Sequence, residues 1–223
     1  MAPLLEKRYE RKYTTNVSSP AETELAIKLH PAMFSEKFPP RFINNIYFDT
    51  PDFKDYQDSV QGVSHRRKIR IRWYGDLKEN VENAQIEIKH KNGILVSKER
   101  FPLIPFNRKD LQDKDKWQDI LERSQVPASI IIEIQDRSHV VLNRYHRKYF
   151  LTPDENYRIT IDNNMQSQMV GWFNKNSRSL QSNELIIELK YDLDADLDVG
   201  KIARFLPFTL GKNSKYLRAV ECW

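Results

Sequence analysis

Between His65 and Tyr74 the chain alternates. Read as an extended strand, it places Arg66, Lys68, Arg70, Arg72 and Tyr74 on one face and Arg67, Ile69, Ile71 and Trp73 on the other. The apolar face is the one that must pack. The same alternation recurs, with Arg8, Glu10 and Lys12 aligned in one segment, Gln85, Glu87, Lys89 and Lys91 in a second, and Glu184, Glu188 and Lys190 in a third. One such strand would simply mark the solvated side of an antiparallel sheet. Several that share a charged face cannot enclose an ordinary core, but they can enclose a polyanion and its metal.

Total charge decides less than its placement. The 223 residues carry 36 Lys and Arg against 31 Asp and Glu, a net charge of +5, so both signs are plentiful. A purely electrostatic nucleic-acid binder would carry a larger basic excess, and no nucleic-acid partner is expected. With 39% hydrophobic and 11% aromatic residues the chain can bury a core. Cys222 is the only cysteine, which excludes an intrachain disulfide or a cysteine-rich zinc site and points to a cytoplasmic location. The start of the sequence is too charged for a secretory signal, and the apolar run Ile130–Ile132 is far short of a membrane span. Six glycines and no glycine-rich phosphate loop argue against the nucleotide-binding loops, so any phosphate must be held by side chains.

No repeat, low-complexity tract or linker is evident, and a single domain over 1–223 is expected. Strands are predicted at 6–13, 42–48, 65–74, 83–91, 94–102, 139–151, 157–163 and 184–191. The turns Lys91-Asn92-Gly93 and Thr152-Pro153-Asp154-Glu155-Asn156 make neighbours antiparallel. Ser19-Pro20-Ala21-Glu22 opens a helix to about Leu29, and Thr50-Pro51-Asp52 a second to about Val60. Asn107–Arg123, Asp198–Leu206 and Ser214–Glu221 read as further helices, whereas Pro127–Gln135 suits a buried strand or a buried helix equally. The expected fold class is α+β, an antiparallel eight-stranded barrel with helices packed outside. Its lumen would be charged, and Ile69, Ile71, Trp73, Ile86, Ile88, Leu185, Ile187 and Leu189 would face outward beneath the helices.

Convergent cations need water, counter-charge or a bound anion. Arginine's fork matches phosphate oxygens in pairs and lysine acts as a point charge, which makes Arg70 and Arg72 the first candidates for phosphate contacts. Lys12, Lys89, Arg147, Arg158 and Lys215 follow, then Lys98 or Arg100, with Lys190 on the charged face of Glu188. Tyr145 shares a face with Arg147 and is a candidate wall residue. Carboxylates in such a lumen call for a divalent cation; Glu188 is the leading ligand for Mn²⁺ or Mg²⁺, with Glu10, Glu87 and Asp162 as secondary candidates. The five histidines show no metal-ligand spacing.

The segments Tyr9–Tyr13, Ile46-Tyr47-Phe48-Asp49-Thr50-Pro51-Asp52-Phe53, Lys68–Gly75, Ile86–Lys89, Tyr145-His146-Arg147, Arg158–Asp162, Ile187–Lys190 and Ser214-Lys215-Tyr216 occur in the order seen in the catalytic domain of the vacuolar transporter chaperone (VTC) polyphosphate polymerases. The chain resembles a bacterial member of that family nearly end to end. The resemblance implies a triphosphate tunnel fold, related to thiamine triphosphatases, class IV adenylate cyclases and fungal RNA triphosphatases. It implies transfer of the γ-phosphate of ATP to a growing polyphosphate chain, with Mn²⁺ or a similar cation. Lys12, Arg70, Arg72, Lys89, Arg147, Arg158, Ser214 and Lys215 would hold phosphates and Glu188 the metal. A terminal phosphate of the bound chain would be the nucleophile, and no protein nucleophile is evident.

Two departures bear on function. Arg8 stands where the wider superfamily opens its Glu-x-Glu-x-Lys motif, leaving Glu10 and Lys12 and disfavouring a two-metal hydrolase arrangement. The regulatory domain and membrane spans of the vacuolar enzymes are not found, so polymer export would need a separate membrane protein partner. The alternatives are a triphosphatase acting on inorganic or organic triphosphate, and a non-catalytic domain that binds polyphosphate.

Overall fold

The computed structural model describes residues 8–15, 19–93, 95–171 and 179–222. Strands β1 (Arg8–Thr14), β2 (Ser35–Asp49), β3 (His65–Tyr74), β4 (Asn80–Val81), β5 (Gln85–Asn92), β6 (Leu95–Pro102), β7 (Phe106–Asn107), β8 (Ser138–Leu151), β9 (Tyr157–Met169), β10 (Leu180–Ser182), β11 (Ile186–Asp192) and β12 (Thr209–Leu210) alternate with helices α1 (Pro20–Lys28), α2 (Lys54–Val60), α3 (Lys114–Arg123), α4 (Ala128–Gln135), α5 (Val199–Ala203) and α6 (Lys215–Glu221). The main sheet runs β9-β11-β1-β6-β5-β3-β2-β8, and β8 pairs back onto β9. Eight antiparallel strands thus close a ring, with β10 and β12 as short additions and β4–β7 a separate ribbon.

Strand parity decides what faces inward. Ile69, Ile71, Trp73, Ile86 and Ile88 point out of the ring and pack beneath Trp117, Ile120 and Leu121 of α3 and Ile134 of α4. On the opposite wall Ile159, Ile161, Ile187 and Leu189 pack beneath Ile27 of α1 and Val199 and Ile202 of α5. The inside-out arrangement expected from the alternation is therefore present, with the apolar layer between sheet and helices.

Several elements differ from expectation, each for a local reason. The first predicted strand began at residue 6 and the fifth at residue 94; residues 6, 7 and 94 lie outside the described residues. β2 starts well before residue 42, carrying Pro39 and Pro40 through an irregular stretch where its register against β8 shifts. β9 runs on to Met169 through a register shift opposite Arg144 and His146, near which Asn164 adopts a positive φ of 49°. Helix α2 begins at Lys54, because Thr50–Asp52 form a turn that ends in left-handed Phe53. Asn107–Arg123 is broken at Asp113, whose extended backbone separates a 3₁₀ turn from α3 and whose side chain caps α3. The ambiguous Pro127–Gln135 segment is helix α4. Glu184 precedes β11 and pairs with Arg218 of α6, off the charged face where it was expected.

One buried carboxylate ties these parts together. Asp49, at the end of β2, accepts hydrogen bonds from the backbone N–H groups of Thr50 (2.8 Å), Asp55 (2.9 Å) and Tyr56 (3.0 Å) and from the Tyr216 hydroxyl of α6. It thereby fixes both the start of α2 and the placement of α6. Replacing Asp49 with alanine strands these donors in a buried site, and is expected to cost roughly 3 kcal/mol or more. Urea unfolding should show a lower midpoint with an unchanged slope.

Candidate functional site

Directly opposed residues in neighbouring strands share a face, so the register shows which charges meet. Lys68 of β3 opposes Lys89 of β5, which opposes Lys98 of β6. Three lysines in a row across three strands repel one another, and such a row is sustainable only beside counter-charge. Glu10 of β1 supplies it, at 2.5 Å from Lys89 and 3.8 Å from Lys98. The next row is Arg70, Glu87 and Arg100, with Arg70 at 2.5 Å from Glu87 and Arg72 and Arg100 each at 3.5 Å. Across the lumen Arg147 and Asp162 are opposed and bonded at 2.5 Å, and Glu188 draws in Lys190 (2.8 Å), Lys12 (3.5 Å), Arg147 (3.5 Å) and Lys215 (3.8 Å). Lys215 also lies 2.6 Å from Asp162.

These side chains line or back a cavity of about 830 Å³. Lys12, Arg70, Arg72, Lys89, Lys98, Tyr145, Arg147, Glu188, Lys190, Ser214 and Lys215 all face it, so most of the residues named from sequence converge. The choice between Lys98 and Arg100 is resolved by position: Lys98 lines the cavity, whereas Arg100 reaches Glu87 from the exposed side. Glu87 and Asp162 lie behind the lining as buried partners of the arginines. Arg158 opposes Lys190 on β9 but is not part of the cavity wall, and its Nε is buried with no hydrogen-bond partner among the described residues.

The ionisation states follow from burial set against pairing. Burial alone would raise the Glu10 carboxyl, but Lys89, Lys190 and Lys98 hold it well below the usual range. Glu188 is depressed likewise, Lys190, Lys215, Lys12 and Arg147 overcoming its desolvation. Glu87 is held low by Arg70 and Arg72, and Asp162 by Arg147 and Lys215, again against burial. The lysines divide. Lys215, despite burial, is raised by Asp162 and Glu188. Lys12 is lowered by burial to about 8, and Lys98 is held well below the usual lysine value by burial, Glu10 only partly offsetting its desolvation.

Lys68, like Lys91 and Lys212, is a cavity lysine that the chemical ranking of the sequence passed over. Burial, and then the charges of Lys12, Lys89 and Arg66, lower it to about 7, and its Nζ lies 3.0 Å from the Ser214 hydroxyl. The signal was present in the alternation of β3. What distinguishes Lys68 from its neighbours is cross-strand register and partner, which no single segment displays.

The cavity has a mouth and a floor. Arg66, Arg67, Lys91, Lys212 and the exposed Val60 and Leu210 surround the mouth. At the floor Ile43, Tyr145, Met165 and Ile186, from four different strands, pack together at 6% exposure or less. Arg72 closes the remaining side, donating to Asn45 Oδ1 at 2.9 Å and to the Tyr145 hydroxyl at 3.0 Å. Tyr145 thus lines the cavity and at the same time belongs to this buried apolar cluster.

Among the described residues no group of three or more His, Cys, Asp or Glu side chains is placed to hold a metal ion. Glu188 nevertheless suits a hard cation that arrives with phosphate. Mg²⁺-type ions take one or two carboxylates and complete their shell with water and phosphate oxygens, and Glu188 and Glu10 are the carboxylates that face the cavity among the phosphate-binding candidates.

The fold is shared with solved structures of very different sequence. A putative adenylate cyclase from Vibrio parahaemolyticus is 12% identical, with a TM-score of 0.53 over 97% of this chain and 98% of that one. A putative adenylyl cyclase from Hippeastrum, described as having a dominant triphosphatase activity, is 14% identical, with a TM-score of 0.55 over 98% of this chain and 96% of that one. No curated protein matches the sequence. The VTC domain model matches residues 7–223, almost the whole chain, and with the basic cavity inside the closed ring it identifies this chain as a member of the VTC domain family.

Proposed function

We propose that this domain is a polyphosphate polymerase, which binds ATP through its triphosphate and transfers the γ-phosphoryl group to the end of a polyphosphate chain. The observation that carries this reading is the cavity itself: a lysine row, Arg70, Arg72, Arg147 and Lys215 converge on one space from strands and a helix far apart in sequence. A loose phosphoryl-transfer transition state spreads charge over the equatorial oxygens, and catalysis is mostly positioning and charge stabilisation. Arg70, Arg72 and Arg147 are pre-oriented for this by Glu87 and Asp162, so their guanidinium groups need no reorganisation when phosphate arrives. Lys12, Lys89, Lys190 and Lys215 add point charges along the chain. Mn²⁺ or Mg²⁺ held by Glu188 and phosphate oxygens would neutralise charge and orient the terminal phosphate.

A second reading, a triphosphatase, is favoured by the floor. A lumen filled at Ile43, Tyr145, Met165 and Ile186 accommodates a short phosphate chain that enters and leaves by one mouth. Incubation of the purified domain with ATP and Mn²⁺ separates the two: long polyphosphate with ADP is expected, whereas ADP with orthophosphate alone would establish the triphosphatase. Binding without turnover under either metal would leave only a polyphosphate-binding module.

Variants of the arginines must respect their partners. Removing Arg70 and Arg72 strands buried Glu87, a loss of about 3–5 kcal/mol for a broken buried pair. The informative variant combines Arg70→Gln and Arg72→Gln with Glu87→Gln. It should remain folded by circular dichroism and lose about 100-fold or more in turnover.

Proton uptake provides an independent check on where the anion sits. Lys68 is largely neutral above pH 7 in the free domain, and a bound polyanion favours its charged form. Binding of inorganic triphosphate at pH 8 should therefore take up protons, and affinity should fall as pH rises above 7. Calorimetry in buffers of different ionisation enthalpy measures the uptake, and Lys68→Met should reduce it.

A further inference from the structure

The cations of β3 run inward from the mouth in the order Arg66, Lys68, Arg70 and Arg72. Arg70 and Arg72 lean on Glu87, and on the neighbouring elements Lys12, Lys89, Lys98, Lys190 and Lys215 each lie within ion-pair distance of a carboxylate. Inside the mouth, Lys68 breaks the pattern. Among the described residues its Nζ has no carboxylate within ion-pair distance; it donates to the Ser214 hydroxyl at 3.0 Å and stands over the Tyr216 ring at 5.8 Å.

The charges that face Lys68 are mostly of its own sign. Lys12 of β1, Lys89 of β5 and Arg66 of its own strand stand near it, against Asp55 of α2, whose carboxylate is already bonded to Arg137 at 3.2 Å. Burial and these cations bring its ammonium to about 7, so that a neutral amine is present near neutral pH. A phosphate beside Lys12 or Lys98 meets a carboxylate as well, whereas one beside Lys68 meets cations and a hydroxyl. An unprotonated amine at a cationic phosphate pocket is a nucleophile placed where phosphate-bearing electrophiles collect.

We propose that Lys68 is an acylation site, modified by acyl phosphates that enter the cavity and are held there by their phosphate group, and that the modification weakens the hold of the cavity on phosphate chains. The inference rests on the reading of the cavity as a phosphate site and adds a means of regulating it. Arg66, Lys12 and Lys89 hold the phosphate while the Lys68 nitrogen attacks the acyl carbon. A C–N bond forms, the bond from that carbon to the phosphate oxygen breaks, and orthophosphate leaves with the electron pair and the proton lost by the nitrogen. The amide keeps one N–H for Ser214 but carries no charge, so the lysine row across β3, β5 and β6 loses its first member.

The test uses the whole domain and acetyl phosphate, with the acetylation of each lysine followed by mass spectrometry. Lys68 should be modified about tenfold or more faster than the exposed Lys109, at a rate that rises with pH through about 7 and then levels off. Inorganic triphosphate should slow the reaction at Lys68 and leave that at Lys109 unaffected. The acetylated domain, and Lys68→Gln in its place, should stay folded by circular dichroism and bind inorganic triphosphate about tenfold more weakly by calorimetry. Acetylation of Lys109 ahead of Lys68, modification of Lys68 that triphosphate does not slow, or an unchanged affinity for triphosphate after Lys68 is modified overturns this inference and leaves the proposed function standing. Failure of the folded, unmodified domain to bind triphosphate removes both.

Discussion

Charge compensation inside the ring is the constraint on which the rest of this structure depends. Lys68, Lys89 and Lys98 stand opposite one another on adjacent strands, and Arg70, Arg72, Arg147 and Lys215 are buried or nearly so. No folded protein carries such a set unpaired, because desolvating each ion costs several kcal/mol. Glu10, Glu87, Asp162 and Glu188 make it bearable, each held ionised by two or more cations. With polar groups committed to the inside, the apolar side chains of the same strands have only the outside to pack against. The helices on the sheet's outer surface are the answer to that requirement.

The same compensation sets the quality of the site. Arginines that lean on buried carboxylates keep their orientation without a ligand, which is how a site becomes pre-organised. The carboxylates also divide the work: Glu87 and Asp162 stand behind the lining as orienting partners, while Glu10 and Glu188 face the cavity. Lys68 is outside this scheme, paired with a hydroxyl, and burial together with the neighbouring cations Lys12, Lys89 and Arg66 brings its charge to respond to conditions near neutrality.

Much of this was legible in the sequence because strand parity is a strong local code. The run from Arg66 to Trp73 announced both faces of β3, and Ile69, Ile71, Ile86, Ile88, Ile187 and Leu189 are buried beneath helices as their spacing required. What parity cannot give is depth along the lumen. Lys98 and Arg100 have the same parity, and only the position of Glu87 between Arg70 and Arg100 shows that one faces the cavity and the other the far side. Arg158 failed to join the cavity for the same reason. The floor was invisible because Ile43, Tyr145, Met165 and Ile186 come from four strands and look like ordinary alternation in each. The late start of α2 and the extended run of β2 follow from Asp49 and from prolines near register shifts, interactions that propensity alone does not rank.

The meeting of Lys12 with Asn213, across 201 positions of sequence, has a consequence for how the domain is made. β1 leaves the ribosome well before its neighbour β11 and the Ser214–Lys215 segment, which follow it by some two hundred residues. Until then the nascent chain displays the amphipathic strands of a half-built ring, with isoleucines uncovered and cations lacking their carboxylates. Contacts of such long sequence separation form slowly. Newly synthesised molecules should therefore depend on chaperone shelter, and a polyanion would find no finished pocket until elongation has passed Lys215.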